Sequence, residues 1–312
     1  MLSYLLAIST FTAIYALLAL GLNLMWGMTG MVNLGILGYY ALGGYVSALV
    51  TVDLGYPLVV GVIIGTVAAA VFGAATCVGI VKLRDDYLAI VTLGFAEMMR
   101  VVAENEVGLT NGTDGIGQIP RPSLFGSGMV FNISYLAMCL LAVAIVVTGM
   151  ELIRTAPLGR ALRAIREDTM VAGTAGKNVL RFQILALTLG GGVMGLAGAL
   201  YVHYVTYISP DIFQPQLLIY VFFALILGGR GNNWGALVGT VLVMVLVEGT
   251  RFLAQEIPGL SAVQVGALRA LIIGIGLVAV MQWKPQGILP EPMRIYREPL
   301  SSAKDGAQAS EQ

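Results

Sequence analysis

Charge is scarce in this 312-residue chain: Asp, Glu, Lys and Arg together make up 11% of it. A soluble domain carries about a quarter. Hydrophobic residues make up 58% and the mean hydropathy is +0.87, so lipid must cover most of the surface. Lys plus Arg and Asp plus Glu balance at 17 each, which leaves no net basic field for nucleic acid. Histidine is almost missing. His203 stands alone, which excludes an H-E-x-x-H zinc site and any multi-histidine metal cage. Cys77 and Cys139 both sit in apolar stretches, so no disulfide framework is expected. No G-x-S-x-G occurs. A phosphate-binding loop is lacking too: Gly176-Lys177 is followed by Asn178, and Val171 stands where the first Gly is needed. No cofactor or metal is expected in this chain, and ATP-driven work would need another one.

Long apolar runs are what the chain does have. A span needs about 20 apolar residues. Candidates are 4–26, 29–50, 57–81, 86–103, 129–151, 179–206, 216–229, 234–254 and 265–283. The expected fold is all-α, a polytopic transmembrane bundle of about eight or nine spans. Residues 1–283 read as one membrane domain, and 284–312 as a cytoplasmic, disordered tail rich in Pro, Ser, Ala and Gln. Residues 1–26 have no positive start and read as a retained span. Basic residues orient the bundle. Placing the richest segment, 152–181, in the cytoplasm puts 13 of the 17 basic residues inside, with the N-terminus outside. If 29–50 is re-entrant, the N-terminus moves inside.

Two segments read as broken or partial helices. Residues 29–50 hold Gly30, Gly35, Gly38, Gly43 and Gly44 with Thr29 and Asn33, and 216–229 has only 14 residues after Pro215. Non-helical backbone at membrane depth is tolerated where it lines a cavity or is buried in protein. Close helix approach is the other use of such glycines. Gly61/Gly65, Gly191/Gly195, Gly231/Gly235 and Gly235/Gly239 repeat the G-x-x-x-G spacing of packed helices.

Polar residues inside apolar runs carry two readings each. Glu97 and Arg100 lie three apart, as do Glu248 and Arg251. They either line a translocation path or form structural ion pairs near the outer interface. Asn23 and Asn33 either contact a solute or satisfy broken backbone. Tyr40 either lines a cavity or sits at the membrane interface, and Tyr201, His203, Tyr204 and Tyr207 read as an aromatic belt.

The sharpest local feature is 157–176. Pro157 suits a first helical turn. Leu158, Leu162 and Ile165 form one apolar stripe; Arg160, Arg163 and Arg166 form a second, and Glu167-Asp168 closes the run. This predicts a short cytoplasmic helix with a basic face. It either docks a partner or lies on anionic headgroups.

The stretch Gly159-Arg160-Ala161-Leu162-Arg163-Ala164-Ile165-Arg166-Glu167-Asp168 resembles the cytoplasmic loop of LivM-type branched-chain amino-acid ABC permeases. Other stretches match the same family in order. They are Gly27-x-Thr29-Gly30-x-x-Asn33-Leu34-Gly35, Asp86-Tyr87-Leu88-Ala89-Ile90-Val91-Thr92-Leu93-Gly94-Phe95, Ile208-Ser209-Pro210-Asp211-x-Phe213 and Leu227-Gly228-Gly229-x-Gly231-x-x-Trp234-Gly235. The resemblance runs from about residue 13 to 290. It implies a bacterial inner-membrane subunit paired with a LivH-like permease, driven by two cytoplasmic ATPases that hold the ATP and Mg²⁺. A periplasmic binding protein would deliver a hydrophobic amino acid. By that resemblance 152–178 contains the coupling helix, with Arg160, Arg163 and Arg166 meeting acidic groups on the ATPase. Asp85 stands where the family commonly has Gly. A urea or short-amide permease of the same superfamily and an ion-coupled secondary transporter are the alternatives.

Overall fold

The structure, a computed structural model, describes residues 2–80, 83, 85–122, 126, 128–256 and 262–291. Its helices are α1 (Leu2–Leu22), α2 (Ile36–Val52), α3 (Leu58–Ile80), α4 (Asp85–Asn105), α5 (Val107–Thr110) and α6 (Met129–Thr155). Then follow α7 (Pro157–Glu167), α8 (Thr169–Thr174), α9 (Val179–Val205), α10 (Pro215–Gly228), α11 (Asn233–Glu256) and α12 (Ala262–Trp283). The single strand pairing among the described residues sets β1 (Ile116–Gly117) antiparallel to β2 (Tyr207–Ile208).

Close glycine contacts set α3 antiparallel to α2 and α9, α2 parallel to α9, and α10 antiparallel to α11. Among the described residues, five stretches are long and apolar enough to cross a membrane: Leu2–Met28, Leu58–Ile80, Met129–Thr155, Val179–Val205 and Gly266–Trp283. Ile36–Val52, Pro215–Gly228 and Asn233–Gly249 are shorter apolar helices. The exposed residues on α3 and α6 are themselves apolar, with Val59, Ile63, Val67, Leu141 and Ile145 each more than half exposed. Such a surface suits lipid, not water.

Small residues set the packing. Helices in lipid associate through close backbone approach, because apolar tails compete for any larger side chain. The tightest cluster is α2, α3 and α9. Gly65 and Gly195 lie against Gly43 and Ala69 there, and a side chain at Gly195 would strike Ala69. Gly228, Gly235 and Gly239 do the same between α10 and α11.

Both readings of 29–50 apply: residues 29–35 break the helix, while Gly43 and Gly44 on α2 bring α2 close to α9. After α1 the chain passes through one π-helical turn, Asn23–Met28. Residues 29–35 are not regular helix, and α2 starts only at Ile36. Gly30 takes φ +79° beside the Arg166 backbone, a conformation that favours glycine. The tail departs from expectation at its start. Residues 284–291 are not free: Ile288 and Leu289 donate to the carbonyls of Leu227 and Gly228 at 2.9 Å each. Gly287 lies on the Gly229 backbone, so the last turn of α10 needs this segment to satisfy its carbonyls. Residues 292–312 lie outside the described residues.

Candidate functional site

Helix α7 lies at one end of the bundle, between α6 and α9, and its two faces differ. Gly159, Leu162 and Ile165 are buried toward the bundle. A side chain at Gly159 would collide with the end of α6 at Ile153 and Arg154, so glycine is required for the two helices to meet. Arg160, Ala164 and Glu167 are exposed on the outer face with Pro157. Asp168 ends α7 and caps α8, its Oδ1 accepting from the backbone of Met170 at 2.8 Å and Val171 at 3.0 Å.

The three arginines do not form one exposed basic face. Arg166 donates to the carbonyl of Gly27 in the π-helical turn and pairs with Glu291 at 2.8 Å. Arg163 reaches the carbonyl of Arg154 at 3.3 Å and lies 3.7 Å from Glu291. Only Arg160 is left on the outer face, so that face carries both signs, Arg160 and Glu167. The correction has a physical cause. A helix this close to the bundle turns the long side chains at its flanks back onto carbonyl oxygens that would otherwise lack donors.

Behind α7 lies a buried polar chain. Asn23 accepts from Gly231 N at 2.8 Å and donates to Asn233 Oδ1 at 2.9 Å. Asn233 donates to Glu151 at 3.1 Å, and Glu151 accepts from Arg154 at 2.7 Å. Asn23 and Asn233 are fully buried. The chain ties α1, α11 and α6 together at the depth where α1 loosens into its π turn. Glu151, Asn233 and Glu291 are absent from the sequence-based site. The Glu151/Arg154 spacing of three was a legible signal; nothing local marks Glu291.

The other path residues separate. Asn33 serves backbone: its Oδ1 accepts from Gly35 N at 2.7 Å, and its amide donates to the Tyr39 hydroxyl at 3.2 Å. Thr92 on α4 accepts from Leu34 N at 2.9 Å, so both polar groups stabilise the broken stretch. Arg100 grips Glu97 at 2.6 Å and Glu104 at 2.9 Å on the partly exposed face of α4, away from the bundle centre. This is the ion-pair reading. Tyr40 is fully buried and packs edge-on against Tyr201 and Phe213, with ring centroids 5.7 and 5.5 Å away. His203 is not part of a belt. It is fully buried, 2.9 Å from Ser47 Oγ and 2.9 Å from the carbonyl of Pro120, and so ties α9 to α2 and the 118–122 loop.

A bundle of apolar helices, broken between α1 and α2 beside the short helix α7 at one end, is the architecture of a multi-pass membrane protein. The family described as branched-chain amino acid transport system / permease component matches residues 4–281, and the chain belongs to it. The high-affinity branched-chain amino acid transport system permease protein LivM of Escherichia coli (strain K12) is 32% identical over 98% of this chain and 73% of its own length. The LivH permease protein of the same strain is 29% identical over 75% of this chain and 80% of its own. A probable LivM of Methanocaldococcus jannaschii is 24% identical over 89% of this chain and 91% of its own. No solved structure matches.

Proposed function

We propose that this chain is the permease subunit of an ATP-driven importer of branched-chain amino acids in a bacterial inner membrane. The observation that carries the reading, beside family membership, is α7. It is an 11-residue helix held between two spans, with one face free and the other bonded to the π-helical turn of α1. A cytoplasmic ATPase docks on the free face, at Arg160, Ala164 and Glu167. Arg163 and Arg166 then pass its displacement to the membrane core. Leu162 and Ile165 keep α7 seated, and Asp168 keeps its end short. ATP and Mg²⁺ bind on the partner chains. A second, LivH-like permease completes the bundle, and a periplasmic protein supplies the solute.

Reconstitution with candidate ATPases, second permease and binding protein tests the reading. Leucine, isoleucine and valine uptake should require ATP and survive an ionophore. Uptake by this chain unaided, collapse on dissipating an ion gradient, or competition by urea instead of leucine would overturn it.

A further inference from the structure

At the end of the bundle opposite α7, a short turn seals two tyrosines. Residues Pro210–Phe213 form one 3₁₀ turn between β2 and α10, flanked by extended Ser209 and Gln214. Its backbone closes with Ile212 N donating to the carbonyl of Ser209 at 3.2 Å. Asp211 is exposed, while Phe213 is buried. The Phe213 ring lies on two rings of α2, with centroids 5.5 Å from Tyr40 and 5.8 Å from Tyr45. Those tyrosines are five residues apart, about 7.5 Å along the helix. One side chain therefore covers both.

These two differ from other buried tyrosines. The Tyr39 hydroxyl bonds Thr76 at 3.0 Å, and that of Tyr135 donates to the carbonyl of Leu200. The hydroxyls of Tyr40 and Tyr45 are buried with no hydrogen-bond partner among the described residues. A buried unpaired hydroxyl is costly, and phenylalanine would pack in its place without that cost. Packing alone does not account for a tyrosine at both positions. A cavity of about 360 Å³ lies beside the turn, with Asp211, Ile212 and Gln214 on its rim and Tyr201 in its wall. The Tyr201 ring is 5.7 Å from that of Tyr40. Withdrawing the turn would thus open the cavity toward the space that Phe213 fills.

We propose that Phe213 is a plug seated in the solute's own place. When the turn swings out about Ser209 and Gln214, an aliphatic side chain takes the position of the ring between Tyr40 and Tyr45. The carboxylate of the same amino acid accepts from the two hydroxyls. An isobutyl group fits within the volume of a benzyl group, and each O–H gains the charged acceptor it lacks in the closed form. This rests on the amino-acid reading above and gives it a gate and two recognition residues.

Two readouts on the assembled importer test it. Tyr40→Cys reports access: Cys77 and Cys139 are buried, so the new thiol is the reactive one. An impermeant thiol reagent added from the side opposite α7 should react at least about tenfold faster once Phe213→Ala removes the buried ring. Phe213→Leu keeps more of the plug and should give a smaller rise, with the thermal midpoint in detergent reporting that each variant is folded. The second readout is Tyr40→Phe with Tyr45→Phe, which keeps both rings and removes both hydroxyls. The midpoint should stay or rise, while the KM for leucine uptake should increase about tenfold, the loss expected for a charge-assisted hydrogen bond. Equal thiol rates with and without the Phe213 ring would remove the gate. An unchanged KM, or a lowered midpoint, would remove the two hydroxyls from recognition. Absence of leucine uptake by the wild-type importer would sink the amino-acid reading instead, and the thiol rates would still decide the gate.

Discussion

Asn23 shows how much one side chain holds. It is fully buried and serves two partners on α11 and the turn before it, Asn233 and Gly231. Removing it leaves a backbone N–H and an amide unpaired where water is scarce. Asn23→Leu should cost about 1–3 kcal/mol. Its thermal midpoint in detergent should fall by roughly 2–4 °C per kcal/mol. An unchanged midpoint would show that other groups replace the amide. Composition flagged this residue because an amide in an apolar run needs a partner. It could not choose between backbone and solute, since that choice depends on residues more than 200 positions away. Arg100 and Glu248 make the same point from two similar-looking pairs. One lies on the partly exposed face of α4, and the other lines a cavity.

At the scale of elements, α7 and the segment after α12 act together. Glu291 bonds Arg166, and Arg166 bonds the turn that ends α1. Arg166→Glu should lower leucine uptake and uncouple it from ATP hydrolysis, by placing two carboxylates together and releasing Gly27. Glu291→Arg in the same chain should restore part of the loss, because the pair is reformed but the Gly27 contact is not. The coupling expected in such a cycle is about 1 kcal/mol, as both groups are partly exposed. No recovery would assign Arg166 to the ATPase surface instead. The 3.6-residue period of Leu158, Leu162 and Ile165 made α7 readable in advance. It did not say which arginines turn inward, because Glu291 lies far along the chain in a stretch whose composition reads as solvated.

For the whole molecule, the prediction concerns sidedness. Arg160, Lys177 and Lys284 lie at the α7 end, while Arg100 and Arg121 lie at the other. The positive-inside rule then puts α7 in the cytoplasm. A single Arg160→Cys should react with an impermeant thiol reagent only in inside-out vesicles, and Gln214→Cys only in right-side-out cells. The reverse pattern would invert the molecule and remove α7 from any ATPase.

Hydrophobic run length and periodicity were enough to establish a multi-pass helical chain and the short helix between α6 and α9, and they offered a break in 29–50 as one of two readings. Those features depend on periodicities of a few residues and on bilayer thickness, which any segment meets on its own. Tertiary structure alone decided that His203 is a buried tie, that residues 284–291 seal α10, and that Asp211 and Glu248 share a cavity. Each of those depends on contacts between segments distant in sequence, where partner geometry, not local pattern, sets the free energy of a polar group.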